Sequence, residues 1–467
     1  MRVGWLMIKS IGWIGAGAFL AVLLGLFAAI AVLYWQPGRL SRLVKPAFLM
    51  IIIPNFIYVQ SWIYCMDTIN GIINDLLHTS FNFTGSFAYL WVFAMASFPL
   101  TFGFSLFALQ SVAKEIAYLV AMDGGDAKLF WHIYLPAGRP YLLSGFLLAA
   151  ALSFYDFSMA SSFGINMIGL ELFSRFSAGA SLGEVLKISA PFLGISLCIL
   201  FFVSRAVEAF QMDHMDKECI NPFQHNLAMK RVATIGAIIL SIWVVVPLLF
   251  FVLTSQGADP AAVLLASTGE MTNSFALAGL SAIGTLALGG LMAAIASTGF
   301  ARRPIRLLPV FFFAMPTPLL ALGILRLAQN DTTGMIYRER ILPVIGMAIK
   351  YHFIITLGLG TAIQRLDPDV VDALKLDTRN IWQQMNFYAH LLIGRILSLM
   401  ILVFAFCLGE YAIPILLAAP GQQTLSVKIF NYLHYGATEV ISVLCLFMLL
   451  VYLFLVILID WLVSHET

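Results

Sequence analysis

Charge is scarce in this chain: Asp, Glu, Lys and Arg make up only 11% of its 467 residues, where a soluble domain carries about 25%. The signs nearly cancel, at a net +2, so there is no basic footprint for a nucleic acid. Cysteine is equally sparse. Cys65, Cys198, Cys219, Cys407 and Cys445 form no CxxC, and four of them lie in or beside apolar runs. That placement fits small buried hydrophobes better than metal ligands or disulfide partners. No GxxxxGK[ST] or HExxH occurs, which leaves the chain without a P-loop and without that metalloprotease signature. The eight histidines, His214, His225 and His352 among them, show no ligand spacing.

What is abundant is apolar sequence, 61% of the whole. Several windows exceed 18 apolar residues, enough to cross a hydrocarbon layer of roughly 30 Å as helix. The fold class expected is all-α: a polytopic transmembrane helical protein with about eleven spans, at 11–34, 46–66, 86–110, 141–163, 186–206, 232–254, 273–297, 307–327, 343–365, 391–414 and 438–461. The run 11–34 is too long for a signal-peptide core and lacks a small-residue cleavage site, so it reads as a retained span. Basic loops at Arg39, Arg42 and Lys45 and at Arg302, Arg303 and Arg306 set the orientation. Both face the cytoplasm if the N-terminus is outside and the C-terminus inside; Arg2 and Lys9 pull mildly the other way. The polar segment 207–231 reads as a cytoplasmic linker between a first half, 1–206, and a second, 232–467. The stretch 166–185 is weakly amphipathic and is expected along the outer surface.

Two polar segments interrupt the apolar runs, "KEIAYLVAMDGGDAKLFWHIYLPAGRP" from Lys114 and "DPDVVDALKLDTRNIWQQMNFYAHLLIGR" from Asp367. A shift of 254 residues superposes them: Gln110 meets Gln364, Glu115 meets Asp369, Asp123 meets Asp377 and Asp156 meets Glu410. The preceding helices correspond at a slightly different offset, "IIIPNFIYVQSWIY" with "FFFAMPTPLLALGILR". Six spans lie between the two segments, an even number, so the halves are parallel rather than inverted repeats. Each segment carries the signals of two short helices. Asp367 and Pro368 open one and Thr378 or Asn380 caps the next; Ser111 caps the first copy, Gly124-Gly125 permits a break, and Asp126 caps a helix that Pro136 stops. The second short helix should expose Leu129, Phe130, Trp131 and Ile133 in one copy, and Ile381, Trp382, Met385 and Phe387 in the other. Such a surface suits docking of a soluble partner; a helix lying on the bilayer is the plainer alternative.

Both segments resemble the cytoplasmic EAA loop of ABC-importer permeases, which runs E-A-A, three residues, G, nine residues, I-x-L-P. In the second copy Asp372-Ala373-Leu374 stand for E-A-A, Thr378 for the glycine, and Tyr388, His390 and Leu391 for I, L and P. In the first, Gly124 matches the glycine and Ile133, Leu135 and Pro136 match I-x-L-P one residue early. Tyr118, Leu119 and Val120 hold the E-A-A places, with Glu115 one turn upstream as the substitute acid. The resemblance covers nearly the whole chain and is closest to permeases with two fused halves, as in ferric-iron, thiamine and 2-aminoethylphosphonate importers. Such halves usually have six spans; here the first has five.

The resemblance implies a permease subunit in a bacterial cytoplasmic (inner) membrane, binding no cofactor itself. It implies two copies of an ABC ATPase subunit, which bind ATP and Mg, docked on the loops 111–140 and 366–391. Glu115, Asp123, Gly124, Gly125, Trp131, Pro136, Asp369, Asp372, Asp377, Thr378 and Trp382 would make that coupling surface. A periplasmic or tethered solute-binding protein would deliver the solute, and nucleotide would bias the halves between inward and outward states. An intramembrane enzyme and an ion-coupled carrier using Asp156, Glu410, Lys350 or His352 are the rivals.

Asp156 lies about fifteen residues into its helix, roughly 22 Å at 1.5 Å per residue. An acid there usually faces a bundle interior or a wet path. Asp156 and Glu410, with Tyr155 and Tyr411 beside them, either line the path and favour a cation such as thiamine or ferric iron, or accept hydrogen bonds from helix ends and brace a gate. Arg326, Arg338, Arg340 and Lys350 on the outer side of the second half would instead suit an anion, contact a binding protein, or snorkel. The topology is tested by single cysteines in a cysteine-free background. Cysteines at Ser41, Arg303 and the linker should resist an impermeant thiol reagent in intact cells, and those at Ser80 and Ala258 should react. Labelling of the linker from outside would reverse the assignment.

Overall fold

A computed structural model describes residues 2–36, 50–78, 85–123, 127–154, 158–209, 221–223, 226–297, 302–328, 341–364 and 381–464, with single positions 43, 47, 156, 366 and 369. Among them there is no strand. In chain order the helices are α1 (Arg2–Trp35), α2 (Asn55–Leu77), α3 (Ser86–Gln110), α4 (Lys114–Met122), α5 (Leu135–Ser153), α6 (Ser158–Ser162), α7 (Ile168–Ser177), α8 (Leu182–Ala209) and α9 (Leu227–Thr254). There follow α10 (Pro260–Ala266), α11 (Thr268–Ser297), α12 (Arg302–Ala314), α13 (Thr317–Ala328), α14 (Ile341–Gln364), α15 (Ile381–Leu391), α16 (Ile393–Gly409), α17 (Ala412–Leu417), α18 (Leu425–Tyr435) and α19 (Thr438–Ser464).

Among the described residues eight helical stretches are long and apolar enough to cross a membrane, which makes this a multi-pass helical membrane protein. They take in α1, α3, α5, α8, α9, α11, α14 and α19. The expected span 307–327 is instead two helical pieces, Leu308–Ala314 and Thr317–Ala328, bent by 107°. Pro316 and Pro318 explain the corner, because neither supplies an amide to continue the ladder. The span expected over 46–66 is not among the eight: the helix there, α2, starts only after Pro54 and runs on to Leu77. The span expected over 391–414 is cut short at Gly409, where α16 ends.

The described chain divides into two compact units, one of residues 1–174 and 194–256, the other of 175–193 and 257–467. In the first unit α1 lies between α3 and α9, and small residues set how closely. A Cβ at Gly25 would come within 2.8 Å of the Thr101 and Phe102 backbone, and one at Gly236 would collide with the Phe27 carbonyl. Thr101 Oγ1 donates to the Ala21 carbonyl at 2.9 Å across the same seam. Pro99 inside α3 deprives the Met95 carbonyl of its helical donor. The indole Nε1 of Trp243 on α9 donates there instead, at 3.1 Å, while its ring stacks on Tyr58 at 5.8 Å.

In the second unit α11 packs along α14, with Thr356 Oγ1 donating to the Gly289 carbonyl at 3.3 Å. Tyr452 of α19 is fully buried and donates to the Ala405 carbonyl of α16 at 3.3 Å. Lys428 of α18 ties three residues at the α10–α11 junction: Glu270 at 2.9 Å, Ser267 Oγ at 3.1 Å and the Ala266 carbonyl at 3.4 Å.

The seam between α1 and α9 gives a direct test. Ala exceeds Gly in helix propensity by about 1 kcal/mol, so Gly279→Ala on α11, where a Cβ meets open space, should leave thermal stability unchanged or raise it. Gly236→Ala should lower the melting temperature in detergent. Equal behaviour of the two variants would remove the close approach from the account of the fold.

Candidate functional site

α16 stops at Gly409, deep in an apolar sequence, and α17 begins only at Ala412. A helix broken in hydrocarbon leaves backbone amides that water cannot reach. Glu410, 7% exposed, meets that need. Its Oε1 accepts from the amides of Ala412 at 2.9 Å and Ile413 at 3.3 Å, the first two of α17. Its Oε2 accepts from Lys350 Nζ at 2.8 Å and Tyr351 Oη at 2.5 Å, both on α14. Lys350 Nζ reaches on to Thr317 Oγ1 at 3.2 Å, the first residue of α13 beyond the 107° corner. Ser426 of α18 donates to the Glu410 carbonyl at 3.2 Å. One residue thus binds the ends of α16 and α17 to α13, α14 and α18. A carboxylate has about four lone-pair sites, and here four donors take them. Tyr411 beside it turns away to stack on Phe430 at 5.2 Å.

The first unit has its own break, between Ser153 and Ser158. There Asp156 Oδ1 accepts from the Met159 amide at 3.5 Å and Oδ2 from Asn55 Nδ2 at 3.3 Å. The acid is half-buried rather than buried, these two bonds are longer, and Ala96 stands 254 residues before Lys350. Asn55 and Thr317 both follow a proline at the start of their helices. The aligned "IPNF" and "MPTP" stretches held that signal, which reading the acids alone missed. Tyr351, Ser426 and the pair Lys428–Glu270 had no sequence signal, since their partners lie 16 to 158 residues away. His352 is buried, with Nδ1 at 2.7 Å from the Ile349 carbonyl. Arg326 is exposed in the last turn of α13.

The polar segments are the second feature. Glu115 and Asp123 are exposed, at the start and end of α4. Ser111 does not cap that helix: it closes α3, its Oγ donating to the Ala108 carbonyl at 2.7 Å. Pro136 does not stop the second short helix either. Residues 127–134 run into α5 through a π-helical turn, Phe130–Tyr134, whose wider loop accommodates the missing proline amide. Trp131 is 62% exposed, whereas Phe130, expected beside it on the surface, is 3% exposed and turned inward. In the second segment Asp369 is exposed and Trp382 lies on α15. The outer side of α15 forms a cleft of about 440 Å³ lined by Gln383, Asn386, Phe387, His390 and Leu391. Its inner side holds Tyr388 against Ile363 with Leu366 and Leu392. Gly124, Gly125, Tyr155, Asp372, Asp377 and Thr378 lie outside the described residues, as do Arg338 and Arg340.

Compared with family models, with curated proteins and with solved structures, the chain matches none.

The Glu410 cluster predicts an asymmetric mutational response. Lys350→Met leaves a buried carboxylate without its cation and should cost about 3–5 kcal/mol, read as a large fall in melting temperature. Adding Glu410→Gln should recover part of that loss. A double variant as unstable as the sum of the singles would show that the two residues are not energetically coupled.

Proposed function

We propose that this chain is the transmembrane permease subunit of an ABC importer, with two parallel permease halves fused and separate ATPase subunits docked on the two polar segments. The observation that carries the reading is a repeated element with an outward-facing aromatic or apolar surface and no described residue covering it: Trp131 in one segment, the Phe387 and Leu391 side of α15 in the other. Element order supports it. Moving α3 by 254 residues gives 340–364, against Ile341–Gln364 for α14; the lead-in starting at Ala127 falls on Ile381, the start of α15, and Ser158 falls on Ala412, the start of α17. The segments 111–140 and 366–391 are cytoplasmic in this proposal, and the ATP and Mg chemistry belongs to the partner.

The solute is a small molecule delivered by a binding protein, thiamine or ferric iron in this proposal; Glu410, paired with Lys350, adds no net negative charge to the path. An ion-coupled carrier needs a carboxylate that can load and unload, and Glu410, held by four donors, is poorly placed for that role.

The test is charge placed in the docking surface. Trp131→Glu and Trp382→Glu each put a carboxylate where a partner would desolvate it. Each should abolish co-purification of an ATPase subunit and solute uptake, with the melting temperature of the isolated chain unchanged. A normal complex with normal uptake in both variants would overturn the docking reading and leave helices lying on the bilayer.

A further inference from the structure

The linker expected between the halves is not merely a tether. Its described tip, Asn221-Pro222-Phe223, is buried in the first unit: Phe223 is 1% exposed and Asn221 5%. Asn221 uses both ends of its amide. Its Oδ1 accepts from the Phe223 amide at 2.9 Å, a local turn that aims the ring, and its Nδ2 donates to the Tyr34 carbonyl at 2.8 Å. Tyr34 lies in the last turn of α1, where carbonyls have no helical donor. Phe223 then meets the inward side of the first polar segment, edge-on to Phe130 at 6.0 Å and to Tyr134 at 5.4 Å. Those two rings stack on each other at 6.0 Å.

Phe130 and Tyr134 bound the π-helical turn of that segment, and Phe223 packs against both. A π turn has no intrinsic advantage over α, so its geometry depends on what fills it from inside. Trp131 projects from the opposite side of the same turn. Among the described residues the second segment has no equivalent: the inner aromatic of α15, Tyr388, rests on Ile363, Leu366 and Leu392, residues of its own neighbourhood.

We infer that Asn221-Pro222-Phe223 is a strut which fixes the first docking helix to the end of α1, so that the two docking surfaces differ in rigidity and the first is set by the linker. The functional half of this inference rests on the docking reading; the structural half does not. Phe223 and Asn221 are positioning residues, acting through Phe130 and Tyr34 on the placement of Trp131.

The experiment is hydrogen exchange by mass spectrometry on the full chain in nanodiscs, comparing peptides over 127–134 and 381–391. Phe223→Ala should speed exchange at 127–134 about tenfold or more and leave 381–391 unchanged. Asn221→Asp, which keeps the turn and loses the donor to Tyr34, should give a smaller rise in the same peptide alone. Unchanged exchange at 127–134 in both variants, or an equal rise in both peptides, would overturn the strut. Native mass measurement of the co-purified complex separates the two ideas. With the strut and the docking reading both right, Phe223→Ala should reduce the ATPase stoichiometry from two to one. A wild-type chain that carries no ATPase sinks the docking reading while the exchange result still decides the strut.

Discussion

A helix interrupted inside hydrocarbon must find its missing hydrogen bonds within the protein, and much of this structure follows from that demand. At Gly409 the chain breaks, and one carboxylate supplies the amides of the next helix on one oxygen and takes a lysine and a tyrosine on the other. The lysine is not an ornament of that site. An ionised carboxylate alone at this depth is costly, and its cation makes the cap affordable there. The same cation reaches Thr317, so the sharp corner between α12 and α13 is tied to the break between α16 and α17. Proline and chain-break positions, which weaken a single helix, become the points where helices are joined.

The two halves solve that problem unequally. Asp156 accepts from an asparagine at the start of α2 and from the Met159 amide, where Glu410 takes a cation, a phenol and two amides. Equivalent positions in sequence therefore carry different electrostatics. The second unit holds its acid buried and paired with a lysine. The first holds its acid half-buried.

Helix existence and order were legible in the sequence because apolar runs of span length have few other uses. The bends were not: the span expected over 307–327 turns a corner at Pro316, and Pro136 misled, because a π turn accommodates what an α turn rejects. The acids stood out as charges in apolar surroundings. Their partners did not, since Lys350 and Glu410 are 60 residues apart and only folding brings α14 to the α16–α17 break. Which ring of "LFWHIY" faces out was unreadable for a related reason. Phe130 is inward because Phe223, some ninety residues on, lies against it, and no local pattern encodes that contact.

The bond from Trp243 to Met95 has a consequence for how the protein is made. The chain emerges N-terminus first, so α3 enters the membrane with the carbonyl opposite Pro99 lacking its donor, and that donor lies 148 residues downstream. At synthesis rates of roughly 5–20 residues per second the wait is on the order of ten seconds. During that interval the groove of α1 that receives Gly236 is also empty. The first compact unit therefore closes only after translation has passed through the linker and into α9, and a nascent chain stalled before that point would present an unfinished seam to whatever insertase or chaperone attends it.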